Sequence, residues 1–128
     1  MFLSLRMLAV AGLCALAPAS SFAQSAADFY KGKTVSIIIG FSPGGTYDLF
    51  GRMVARHMGK HIPGNPTVIA QSMPGAGSFT AANFIFNRAP KDGTQFGIVT
   101  QSLAIEEMLK TPGVNYKAAD FNWIGRAT

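Results

Sequence analysis

Two loops hold the residues best suited to chemistry. Ser42-Pro43-Gly44-Gly45-Thr46 and Pro74-Gly75-Ala76-Gly77 are too rich in proline and glycine to continue either a strand or a helix. Each follows an apolar run of strand character and precedes a run with helical periodicity. The start of a helix presents unpaired N–H groups and about +0.5 of a charge, and glycine lets an anion approach that backbone closely. The chemistry implied is the cradling of a carboxylate or phosphate by main-chain donors. Thr100-Gln101-Ser102 adds hydroxyl and amide donors at the end of a third strand. Thr46 and Asp48, at the start of the helix after the first loop, are available for capping and for pairing with its dipole. One such loop is more often merely a tight turn, but two in matching positions shift the balance toward a site.

Other constellations fall short of a mechanism. His57 and His61 have the four-residue spacing that can hold a metal, but no glutamate lies between them and no third ligand is evident, so a role at the helix end is expected instead. Glu106 and Glu107 are neighbours on a helix, point different ways, and make a poor acid/base pair. Ser42, Ser72, Ser78 and Ser102 have no His–Asp context, and no G-x-S-x-G elbow is present. Gly75-Ala76-Gly77 has Thr80 where a dinucleotide fingerprint needs its third glycine, and Gly97 where it needs the ribose-binding acid. Gly32-Lys33-Thr34 is not a phosphate-binding P-loop, because its strand follows rather than precedes it. Neither catalysis nor a metal or cofactor is expected.

The elements that must position the loops follow from periodicity. Residues 35–39, Val-Ser-Ile-Ile-Ile, read as a strand buried on both faces. Leu49, Phe50, Met53, Val54 and Met58 give a helix over about 46–61, stopped by Ile62-Pro63-Gly64-Asn65-Pro66. A second strand over 67–71 leads to the second loop and a helix over 79–89. After the turn Pro90-Lys91-Asp92-Gly93 come a third strand over 96–100 and a short helix over 103–110. Phe121-Asn122-Trp123-Ile124-Gly125 reads as a fourth strand, and residues 26–33 as a polar lead-in. The alternation predicts an α/β fold with a mainly parallel sheet, helices on both faces, and both loops at one edge.

Residues 1–23 read as a cleavable secretory leader: Arg6, an apolar core over 7–17, then Ser21-Phe22-Ala23 as the cleavage site. That core is too short for a permanent membrane span. Cys14, the single cysteine, lies within it, and Leu13 before it does not suit a lipoprotein. A mature chain starting at Gln24 thus has no disulfide or thiol chemistry. The net charge is +5, of which Arg6 contributes one, leaving +4 on residues 24–128. The basic residues are scattered rather than striped, which disfavours nucleic acid. Roughly 105 residues give three or four strands with exposed sheet edges, so the chain is expected to be the front part of a larger protein.

Taken in order, the leader, Gly32-Lys33-Thr34, Ile39-Gly40-Phe41-Ser42-Pro43-Gly44-Gly45-Thr46-Tyr47-Asp48, Met73-Pro74-Gly75-Ala76-Gly77 and Ala89-Pro90-Lys91-Asp92-Gly93-Thr94 resemble the receptors of tripartite tricarboxylate transporters. These are the Bug, or TctC-like, periplasmic solute-binding proteins. The resemblance covers residues 28–128. It implies a partial first lobe of a type II periplasmic-binding-protein-like fold, with the second lobe absent. It further implies a small carboxylate as ligand, membrane permease components as partners, no nucleic acid, a periplasmic location, and a monomer when complete. The candidate ligand-binding residues are then Ser42, Pro43, Gly44, Gly45, Thr46 and Asp48 around the first loop, Pro74, Gly75, Ala76 and Gly77 in the second, and Thr100, Gln101 and Ser102 in the third.

Two departures bear on the ligand. Ser72-Met73 stand where many relatives have Asn-Arg, and bulky Tyr47 stands where a small residue is common. The scarcity of charge argues against assuming a tricarboxylate. A secreted α/β enzyme acting on a small anion is the alternative, and turnover of a bound ligand separates the two.

Overall fold

The computed structural model describes residues 25–126; the leader expected over residues 1–23 lies outside them. Its centre is strand β1 (Thr34–Ile39), flanked by β2 (Thr67–Ser72) and β3 (Gln95–Ile98) in the order β2-β1-β3. Both pairings are parallel, with Thr34 opposite Thr67 through Ile39 opposite Ser72 on one side, and Ser36 opposite Gln95 through Ile39 opposite Ile98 on the other. β-Branched residues suit a strand that is hydrogen-bonded on both sides and covered on both faces. Val35, Ile37, Ile38 and Ile39 are at most 1% exposed. Burial of side chains of that size stabilises the fold by about 1.5–3 kcal/mol each.

Helix α2 (Thr46–Met58) joins β1 to β2, and α3 (Phe79–Asn87) joins β2 to β3. They cover opposite faces. A Cβ added at Gly51 of α2 would lie 2.5 Å from Ile39 Cδ1 and 3.1 Å from Ile98 Cδ1, so α2 packs on the face those two share. A Cβ at Gly97 would collide with Ile85 of α3, and one at Gly40 with Ser78 and Ala81. Gly40 and Gly97 alternate with Ile39 and Ile98 along their strands, which puts α3 on the other face. The α/β class with helices on both faces is what the alternating pattern predicts.

Below α3 lies a second cluster. Ala82, Leu103 of α4 (Leu103–Met108) and Tyr116 are buried together, with Phe79, Phe86, Val99, Val114 and Phe121 against them. The Tyr116 hydroxyl donates to the Leu103 carbonyl at 3.1 Å, and burial, with Glu106 and Glu107 nearby, pushes its pKa up. Asn83 and Asn87 donate to the carbonyls of Gly113 and Asn115, holding that loop on α3.

Two stretches differ from the sequence reading. The polar lead-in contains a short helix, α1 (Ala26–Tyr30), capped by Ser25 Oγ, which accepts from the Asp28 N–H at 3.1 Å. Five residues are too few to show a helical period. Residues 121–125, read as a fourth strand, pair with no strand among the described residues. They leave a 3-10 turn, Ala118–Asp120, and pack locally: Phe121 against Phe86 and Tyr116, and Trp123 Nε1 donating to the Ala118 carbonyl at 2.9 Å. Apolar composition made the segment look like a strand, but a strand also needs a ladder partner.

Candidate functional site

Because the three strands are parallel, their carboxyl ends share one edge. Loop 40–45 follows β1 and enters α2 with Gly45 as N-cap, making no side-chain capping bond. Asp48, in the first turn, instead ties the preceding loop to the helix. One Asp48 carboxylate oxygen, Oδ2, accepts from the Gly44 N–H at 2.9 Å and from Arg52 Nε at 2.8 Å. The other, Oδ1, accepts from Ser72 Oγ at 3.1 Å. Asp48 is only 2% exposed. The Arg52 hydrogen bond, then that of Gly44, hold its pKa down at about 2 against the opposing effect of burial. It is therefore a fixed anion at the positive end of α2. Gly44, at φ +88°, supplies the left-handed backbone that turns its N–H toward this carboxylate. Tyr47 stacks flat on Phe41, ring centroids 4.1 Å apart and planes 9° from parallel.

The second loop has an unusual backbone. Gly75 has φ +143°, and Ala76, Gly77 and Ser78 follow at +46°, +62° and +76°. Two of these residues are not glycine, and such conformations cost about 1–3 kcal/mol each. Ser78 shows what holds them. It is 2% exposed, its Oγ accepts from the Thr100 N–H at 2.9 Å, and its Cβ occupies space that Gly40 leaves free. Thr100 Oγ1 lies 3.1 Å from Ser102 Oγ, completing the third loop.

The three loops are thus fastened to one another. Met73 N–H donates to the Ile39 carbonyl at 2.7 Å and Gly40 N–H to the Ile98 carbonyl at 2.9 Å, which extends both ladders beyond the strands. Ser78 joins the second loop to the third, and Asp48 joins α2 to the end of β2.

Of the residues expected at the site, Ser42, Pro43, Gly44, Gly45, Thr46, Pro74, Gly75, Ala76, Gly77 and Gln101 are exposed at this edge. Thr100 and Ser102 are half-buried, and Asp48 is buried. The donors of α2's first turn that helix geometry leaves unpaired begin beside Gly45, where an added Cβ would meet only the Ser42 carbonyl, 3.7 Å away. The edge is open. The apolar hollows lie along α2 instead, one of about 270 Å³ lined by Thr46, Leu49, Phe50 and Met53, the other of about 330 Å³ by Met53, Val54, His57, Met58 and His61.

The structure gives the two glutamates separate structural partners. Glu106 accepts from Thr111 Oγ1 at 2.8 Å, and Glu107 from the Ala118 N–H at 2.7 Å. Among the described residues no three His, Cys, Asp or Glu side chains come together as metal ligands. Sequence reasoning missed the linking roles of Ser72, Ser78 and Arg52. Only the Asp48–Arg52 spacing, i to i+4 on one helix, carried a readable signal.

No protein-family model matches the chain. Among curated proteins it is similar to the "UPF0065 protein in gbd 5'region" of Cupriavidus necator, 30% identical over 115 residues. The match covers 89% of this chain and 34% of that protein, so the chain spans about a third of the relative's length. This likeness supports the family relationship drawn from the loop motifs.

Proposed function

We propose that the chain is the leading part of the first lobe of a Bug-type periplasmic solute-binding receptor, which captures a small carboxylate for a tripartite tricarboxylate-type transporter. The observation that carries this reading is the fastening of three loops at one sheet edge by the Ser78–Thr100 and Ser72–Asp48 hydrogen bonds. A preorganised set of main-chain and hydroxyl donors binds without first ordering itself. The UPF0065 name of the relative, which is that of the Bug family, supports the same assignment.

In this reading the ligand carboxylate rests against the first turn of α2 and the hydroxyls of Ser42, Thr46, Thr100 and Ser102, with Pro74, Gly75, Ala76, Gly77 and Gln101 forming the adjoining wall. Asp48 is a positioning residue, since its oxygens are engaged by Gly44, Arg52 and Ser72. Arg52 is itself paired with Asp48, so the loops offer dipoles more than net charge. That favours a ligand with one carboxylate at this edge over a tricarboxylate. A second lobe facing the open edge would enclose it, as burial of a small ligand requires. Residues 1–23 would direct export and be removed before Gln24.

The test is a thermal melt of the longest open reading frame containing this chain, against mono-, di- and tricarboxylates. A ligand that binds only the folded state raises the melting temperature by mass action. A binder from the monocarboxylates, with no turnover, is expected; no shift with any of the panel would overturn the assignment. Expression in a Gram-negative host should yield periplasmic protein whose intact mass begins at Gln24.

A further inference from the structure

Helix α4 is built inside out. Leu103 is buried, and both charged residues are engaged by the molecule itself: Glu106 accepts from Thr111 Oγ1 and Glu107 from the Ala118 N–H. At 3.6 residues per turn, Ala104, Ile105, Met108 and the C-cap Leu109 share an arc of roughly 140° on the side opposite Leu103. All four are exposed. A helix on the surface of a globular domain normally shows the reverse, apolar side chains inward and charged ones outward. The Ala118 turn ties a second apolar piece to the helix. Trp123 Nε1 donates to the Ala118 carbonyl at 2.9 Å, and the Trp123 ring meets Phe121 edge-on with centroids 5.6 Å apart. Ile105, Met108, Leu109, Trp123 and Ile124 are each between 58% and 81% exposed.

We propose that this surface seats on an anionic phospholipid bilayer, with Trp123 and the α4 arc entering the headgroup region. Exposed apolar side chains gathered in one place mark an interaction surface. The charges around them select the partner. Lys110, Lys117 and Arg126 are exposed, and among the described residues none of the three pairs with a carboxylate. Asp120 is the one exposed acid between residues 103 and 126. A second copy would bring these cations against their own counterparts, whereas an anionic headgroup layer attracts each of them. Tryptophan, with an apolar body and a polar edge, suits the boundary between headgroups and acyl chains. Among the described residues no helix is long and apolar enough to cross a membrane, so the contact is with the bilayer surface. The surface lies on α4 and the stretch after Ala118, so its test does not turn on ligand capture at the loops.

Trp123 is the chain's single tryptophan, so its emission reports on this surface and not on a contact made elsewhere. The experiment mixes the full chain with vesicles of phosphatidylglycerol or of phosphatidylcholine and follows Trp123 emission and its quenching by acyl-brominated lipid. A blue shift with quenching is expected on phosphatidylglycerol, at least about tenfold weaker on phosphatidylcholine and weakened by salt. Leu109→Glu, at an exposed position, should lower the affinity at least about tenfold, the change that withdrawing one apolar side chain from a buried contact implies. Ile124→Glu gives the same reading should Leu109→Glu fail to fold, as judged by circular dichroism. Lys117→Gln and Arg126→Gln should each lower it about fivefold. Met53→Glu, on the apolar face of α2, should leave it unchanged. No quenching by brominated lipid, full affinity in both folded glutamate variants, or equal affinity for the two lipids would each overturn the proposal. An emission shift that follows protein concentration without lipid would overturn it too, and assign the surface to a second copy.

Discussion

Asp48 Oδ2 sits 2.8 Å from Arg52 Nε, one helical turn along α2, and the same oxygen takes the Gly44 N–H. The loop with the strongest anion-binding signature in the chain therefore already contains an anion. Its carboxyl is held at about 2, below the ordinary aspartate value near 3.8. A depressed folded-state pKa contributes stability that is present above the unfolded value and lost as pH falls through the folded one. Asp48→Asn should therefore lower the melting temperature at pH 6, and the gap from the parent should close between pH 4 and pH 2. An equal gap at pH 6 and at pH 2 would remove the ionised carboxylate from the explanation.

Ser78 supplies a second test. Ser78→Ala removes the acceptor of the Thr100 N–H while keeping a left-handed backbone that only glycine adopts freely. The lost bond and the unpaired donor together should cost about 1–3 kcal/mol. Ser78→Gly loses the same bond but relieves backbone strain of about 1–2 kcal/mol, and should be the milder change. Urea denaturation reads the difference as a shift in midpoint at constant slope. Reversed order would mean that the Ser78 Cβ packed against Gly40 outweighs the backbone strain at position 78.

Gly51 and Gly45 make a contrasting pair. Gly51→Ala gains about 1 kcal/mol of helix propensity but forces a Cβ to within 2.5 Å of Ile39 Cδ1. Overpacking of that kind costs about 1–3 kcal/mol, so net destabilisation is expected, larger still for Gly51→Val. Gly45 has φ −80° and open space where a Cβ would go, so Gly45→Ala should lose only a mild N-cap preference of about 0.5–1 kcal/mol. Thermal melts of the two alanine variants separate a packing glycine from a permissive one.

The same geometry makes Gly45→Val a clean probe of ligand approach, because valine there is not strained. In the longest reading frame containing the chain, it should weaken carboxylate binding more than Ser42→Ala. The latter removes one hydroxyl, worth about 0.5–1.5 kcal/mol, or up to 3 if the partner is charged. Calorimetric titration on the two folded variants decides it. Unchanged affinity in Gly45→Val would make the glycines turn residues and move the site away from α2.

What the sequence disclosed was local. The Val35 to Ile39 run announced a strand covered on both faces, and the Pro-Gly loops announced where strands end and helices begin. Each of those signals is carried by consecutive residues. The roles of Ser72 and Ser78 were hidden because their partners, Asp48 and Thr100, are more than twenty positions away and meet them only after crossover. The same blindness made residues 121–125 look like a strand: composition reports what a segment could pair as, not whether a partner edge reaches it.

The central position of β1 has a kinetic consequence. Thr34 must wait for Thr67, and Ser36 for Gln95, before either ladder can form. Until then an uncharged, proline-free run of strand-favouring residues is unshielded, the composition that drives chains to stack on one another. Non-local parallel pairing is slow, so this interval is long by the standards of small domains. Slower pairing of β2 and β3 with β1 would lengthen that exposure. Mutations that slow that pairing should show first as aggregation during refolding, before any loss of stability at equilibrium.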